Sequence, residues 1–130
     1  MDAFGSLVRL NLQPNKNISG TGAGTGVVDL SGLQGQVAVT LDVAPGTGTT
    51  PAATVVTQTS PDNTNWTNVS SLTSNFTDFS AIGANGGYQE VALDTRDAQR
   101  YLRINFPTLT GTNTPAFDVS ALVIGEKKYR

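Results

Sequence analysis

The residues of this chain that could move a proton are carboxylates and a few lysines, because neither histidine nor cysteine occurs among its 130 residues. Asp62, Asp78, Glu90, Asp94, Asp97 and Asp118 could supply a pair of carboxylates within the ~5 to 10 Å that glycoside cleavage uses. Nothing in their spacing selects a pair, and solvated turn carboxylates are the simpler reading. A serine nucleophile would need Lys16, Lys127, Lys128 or a carboxylate as its base, and none stands beside a serine in a recognisable arrangement. The lack of imidazole and thiol excludes histidine-based triads, cysteine nucleophiles and thiolate or imidazole metal sites. The expectation is a protein that is not an enzyme and holds no cofactor.

Asp62, Asn63, Thr64 and Asn65 gather oxygen atoms of the kind calcium prefers, as do Asp94 and Asp97, but neither group has the spacing of a calcium loop. Asp and Asn are also selected by tight turns, through side-chain bonds to nearby backbone, and the turn reading is favoured. The run GTGAGTG from Gly20 to Gly26 imitates a phosphate loop. Its glycines miss the relative positions 1, 3 and 6 of the dinucleotide fingerprint, and no helix follows to receive an anion. It reads as a surface loop. Trp66, the only tryptophan, is either a hairpin anchor or an exposed platform for a sugar, and packing is favoured because a turn delivers it to a strand start. Arg96, Arg100 and Arg103 form the densest basic cluster, and surface pairing with Asp94 and Asp97 is its ordinary explanation.

The elements that would carry these residues are strands. With 38% hydrophobic and only 14% charged residues, 14 glycines and abundant Thr, Ser and Asn, the chain is polar without being charged. Period-2 alternation bounded by Gly, Pro, Asn and Asp recurs about every 8 to 12 residues. Val8, Leu10 and Leu12 alternate in a first strand that is expected to stop at Pro14, and residues 14–26 read as loop. A short strand VVDL precedes the clearest alternation, in which Val37, Val39, Leu41 and Val43 share one face. The stretch APGTGTTPAA reads as turn, ATVVTQTS as a strand with two partly wet faces, and Leu72 to Phe79 as a weak strand. Asn85, Gly86 and Gly87 mark a turn into YQEVALDT, and TRDAQ offers one helical turn. Leu102, Ile104 and Phe106 alternate before PTLTGTNTP, and Phe117, Val119, Ala121 and Val123 line the last strand. The expected fold is all-β, an antiparallel two-sheet β-sandwich of jelly-roll or immunoglobulin-like type with about eight strands. One such domain accounts for residues 1–130, with extended terminal segments.

The formal charge of −2 leaves no electrostatic footprint for a nucleic acid backbone. The opening MDAFGSLVRLNLQPN has neither a targeting pattern nor a membrane-length apolar run. No direct nucleic acid partner and no membrane partner are expected.

Three blocks, VTQTSPDNTNWTNV, EVALDTRDAQRYLRINF and PAFDVSALVIGEKKYR, in that order, resemble small β-sandwich structural proteins of tailed bacteriophages. The elements that carry the resemblance are Ser60, Asp62 and Trp66, then Arg100 to Arg103, then Gly125 to Tyr129. It covers about the last three fifths of the chain, and the turn before the tryptophan lacks the usual glycine. It implies a capsid decoration or cement protein, made in the host cytoplasm and placed on the capsid surface of the virion. Its partners would be the major capsid protein and further copies of itself, as trimer or dimer, and no catalytic residue is carried over. A tail, neck or fibre component and a carbohydrate- or receptor-binding module are the alternatives. A closed core explains the chain ends least well. Phe4, Leu7, Lys127, Lys128 and Arg130, with Arg100 and Arg103 as weaker members, are the candidate contact residues.

Overall fold

A computed structural model describes residues 7–24 and 26–128; Phe4 and Arg130 lie outside the described residues. Eight strands are seen, all paired antiparallel. They are β1 (Leu7–Ile18), β2 (Gly22–Ala23), β3 (Val28–Asp29), β4 (Leu33–Val43), β5 (Thr47–Ser60), β6 (Thr67–Asn68), β7 (Gly87–Asp94) and β8 (Tyr101–Lys127). Among the described residues helix is confined to one α-turn, α1 (Val69–Leu72), and two 3-10 turns at Leu30–Gly32 and Thr95–Asp97.

The spine is β8, which runs through both halves of the fold. Its first part pairs with β5 on one side and with β2 and β3 on the other. Its second part lies between β1 and β4, and β7 extends that half beyond β4. Because one strand serves both halves, the two sheets expected from the alternation are joined into a single curled, eight-stranded sheet around one core. The PTLTGTNTP stretch, read as a break, is the middle of this strand.

Alternation selects the concave side as expected. Val37, Val39, Leu41 and Val43 of β4 meet Leu102, Ile104, Phe106, Phe117, Val119, Ala121 and Val123 of β8 in the core. Burying each large apolar side chain contributes about 1.5–3 kcal/mol. The inward side of β5 is unusual, since Val55 is followed by Thr57 and Thr59, both fully buried. Their hydroxyls are satisfied: Thr57 donates to Asp78 at 2.8 Å, and Thr59 donates to the Tyr101 carbonyl at 2.9 Å and accepts from the Gln99 N–H at 2.7 Å.

Four local expectations are corrected. First, β1 continues past Pro14 to Ile18, because register shifts between Asn11 and Gln13 and between Gln13 and Lys16 place the proline where no ladder bond is demanded of it. Second, part of the glycine-rich stretch is strand. Gly22 and Ala23 pair with Phe106 and Asn105, and the Gly24 N–H donates to the Ile104 carbonyl at 2.9 Å. A Cβ on Gly26 would sit 2.0 Å from the Leu12 carbonyl oxygen, so close backbone approach explains that glycine. Third, APGTGTTPAA is mostly the start of β5. Fourth, residues 73–79 hold no strand; Phe76 and Phe79 drop into the core from irregular backbone tied down by Asp78.

Candidate interaction surface

The convex side of the β5 and β8 half carries a connected polar and aromatic cluster. Alternation sends Leu102 and Ile104 inward and therefore Tyr101 and Arg103 outward. Register places Gln58 of β5 beside Arg103, and Asn68 of β6 beside Gln58. The side chains follow that row: Arg103 Nε donates to Gln58 Oε1 at 2.9 Å, and Gln58 Nε2 donates to Asn68 Oδ1 at 3.1 Å. The Arg103 guanidinium lies 4.2 Å from the centroid of the Trp66 ring. Trp66 is therefore half-buried on the outer face and is not part of the core. Partial burial lowers the pKa of Arg103 below its ordinary value.

Asp62 sets the approach to Trp66. Its carboxylate accepts from the N–H groups of Thr64 and Asn65, each at 2.9 Å, from Asn65 Nδ2 at 2.7 Å and from the Ser60 hydroxyl at 3.0 Å. These bonds, led by the Asn65 N–H, hold the carboxyl down to about 2. The oxygen-rich cluster of the sequence is thus a turn closed by its own side chain.

Of the arginines, Arg96 pairs with Asp94 at 2.9 Å as expected, but Arg100 reaches across to Asp29 of β3 at 2.9 Å and not to Asp97. The register of β3 against β8, with Asp29 opposite Tyr101, makes that pairing possible. Hydrogen bonding from Arg100 and from the Ser31 N–H keeps the Asp29 carboxyl well below the usual carboxylate range. Arg100 also lies 5.0 Å from the Tyr101 ring centroid. Arg100 and Arg103 therefore share one face, each with its own partners.

The chain-end residues fall elsewhere. Lys127 closes the β8 ladder opposite Leu33, and the Lys128 N–H donates to the Gly32 carbonyl at 2.8 Å. Lys127 is held in the strand and Lys128 by its backbone bond to the 3-10 turn, so their charge is presented from a fixed backbone. Lys128 joins Arg96, Arg100 and Gln99 around a shallow cavity of about 290 Å³ between the two 3-10 turns. Leu7 is 57% exposed on the convex face of the other half, beside Glu126.

The sequence reading missed the feature with the most unusual backbone. Where β8 passes from one half to the other, residues 47–50 of β5 and 111–114 of β8 form two apposed, exposed and bulged strand segments of threonine, glycine and asparagine. Thr50, Asn113 and Thr114 have φ of 47°, 58° and 54°, and Gly48 and Gly111 are also left-handed. A β-branched residue rarely adopts that region, at roughly 1–2 kcal/mol each. Asn113 Nδ2 donates to Thr49 Oγ1 at 2.7 Å and fastens one segment to the other. Its only sequence signal is the mirrored composition of TGTT and GTNT.

Of the two tyrosines that could join Trp66 in a sugar platform, Tyr88 lies at the opposite end of the sheet on β7, whereas Tyr101 faces outward two residues from Arg103, on which Trp66 stacks. Among the described residues, no helix is long and apolar enough to cross a membrane.

No protein-family model and no curated protein matches this chain. Among solved structures, the crystal structure of the SPBc2 prophage-derived protein YomS is similar in fold, with a TM-score of 0.51 over 92% of this chain and 93% of that one, at 12% identity.

Proposed function

We propose that this chain is a structural protein of a bacteriophage virion, a capsid decoration protein that bridges neighbouring major capsid subunits. The observation that carries the contact role is the pair of bulged, left-handed strand segments at residues 47–50 and 111–114. Left-handed threonines on an exposed corner cost stability and bury nothing, and such strain persists where the shape itself is used. The prophage source of YomS, similar in fold over nearly its whole length, supports a phage setting for that contact role. Arg100, Arg103, Lys127 and Lys128 add positive charge around the same molecule for an acidic shell surface. Exposed charge pairs contribute about 0.2–1 kcal/mol each, so attachment draws on many symmetry-repeated contacts.

The test is to add purified protein to capsids that lack it and to image the particles by cryo-electron microscopy. Density bridging adjacent capsid subunits is expected, with the paired bulged segments at the contact. Thr112→Glu, exposed on the bulged part of β8, should abolish decoration while the melting temperature stays within about 2 °C. Density on the tail or neck would assign the alternative virion site, and no density on any part of the particle would overturn the reading.

A further inference from the structure

The convex face of the β1, β8, β4 and β7 half has no cover among the described residues, and its chemistry is ordered from edge to edge. Two adjacent rows across the strands are set by register. One reads Arg9, Ile124, Ala38 and Ala92, and the next reads Asn11, Leu122, Thr40 and Glu90. Donors thus stand on the β1 edge, a carboxylate stands on the β7 edge, and aliphatic side chains lie between them. Leu7 and Ile124 line an open groove of about 510 Å³ on this face, together with Ala38, Ala92 and Glu90.

We infer that this face binds a second copy of the same chain, face to face, about a two-fold axis parallel to the strands. The inference does not depend on the virion reading. Such an axis superimposes the β1 edge of one copy on the β7 edge of the other. Asn11 then stands opposite the partner copy's Glu90, and Arg9 lies one row away, about 7–8 Å, within reach of an arginine. Across the axis Ile124 of β8 meets the partner copy's Ala38 of β4 and Leu122 meets its Thr40, an isologous arrangement in which each contact is made twice. The opposite choice, with the axis across the strands, would set Arg9 against β1 of the other copy and Glu90, which accepts from its own Tyr88 hydroxyl at 3.2 Å, against β7, with no cation facing it. Four strands about 4.8 Å apart and about eight residues long cover roughly 500 Å² per copy. The pair would bury about 1,000 Å², the lower bound of specific interfaces, so the dimer is a weak one that forms in the micromolar range.

Sedimentation equilibrium of the full chain from about 1 to 500 μM, with no capsid present, tests this. A monomer–dimer equilibrium is expected. Ile124→Asp should leave only monomer, with an unchanged far-ultraviolet circular dichroism spectrum. Arg9→Glu and Glu90→Arg, on exposed edges that do not endanger the fold, should each raise the dissociation constant at least tenfold, and the double exchange should restore it. A monomer at every concentration, a trimer, or a dimer indifferent to Ile124→Asp and to the charge exchange would overturn the inference. Because the readout is the free protein, failure here leaves capsid decoration untouched, and failure to decorate leaves the dimer untouched.

Discussion

The guanidinium of Arg103 stacks 4.2 Å from the centroid of the Trp66 ring while its Nε donates to Gln58 at 2.9 Å. One side chain thereby fixes the sole tryptophan against the outer face of β5 and β8. The turn capped by Asp62 delivers Trp66 to that position, and the cross-strand row of Asn68, Gln58 and Arg103 receives it.

Arg103→Ala should uncover the indole. The expected result is a red shift of tryptophan emission and a loss of about 1 kcal/mol in a urea titration, the size of a partly desolvated cation–π contact. Arg103→Lys keeps a cation but loses the planar stack and the fixed Nε donor, so its emission should fall between the two.

Asp78 accepts from the Thr57 N–H at 2.9 Å and from its hydroxyl at 2.8 Å, and also from the Phe79 N–H at 2.8 Å. Thr57 is fully buried, so Asp78→Ala strands two buried donors. A loss of about 2–4 kcal/mol is expected, with Asp78→Asn losing less because its carbonyl still accepts. Equal losses in the two variants would show that these bonds do not hold the 73–82 segment.

Two glycines separate backbone need from mere composition. Gly86 has φ of 66°, and a Cβ there would lie 2.3 Å from the Val43 carbonyl oxygen. Gly86→Ala should cost about 2 kcal/mol or more, read as a fall in melting temperature. Gly20 has open space around it, so Gly20→Ala should be neutral or stabilising by up to about 1 kcal/mol.

Acid should expose the turn carboxylates. Asp29, Asp62 and Asp94 all have folded pKa values below their ordinary ones, so each stabilises the fold fully above about pH 4. That contribution falls away as the pH drops, for Asp62 through about 2. Asp62→Asn should flatten the dependence of stability on pH between about 4 and 2 while leaving it unchanged at neutral pH in slope. An unaltered acid limb would remove Asp62 from the account.

Alternation by itself determined the all-β class and the inward faces of β4 and β8, because side chains in a strand point to opposite sides whatever lies beyond it, and Asn85, Gly86 and Gly87 marked the turn into β7. The Asp62 turn was legible as well, since its bonds span only two to three residues. Long-range register was not legible. Pro14 inside β1, the passage of β8 through PTLTGTNTP and the salt bridge from Arg100 to Asp29 each depend on which strand lies alongside, and a local pattern carries no information on that. The buried threonines of β5 show the same limit. Thr57 and Thr59 look fit for water on composition, yet Asp78, Gln99 and Tyr101, brought from 21 to 42 residues away, satisfy them and admit them to the core. The left-handed Thr50, Asn113 and Thr114 are furthest from sequence, because no propensity favours that backbone for threonine and only the bend of a strand shared by both halves of the sheet imposes it.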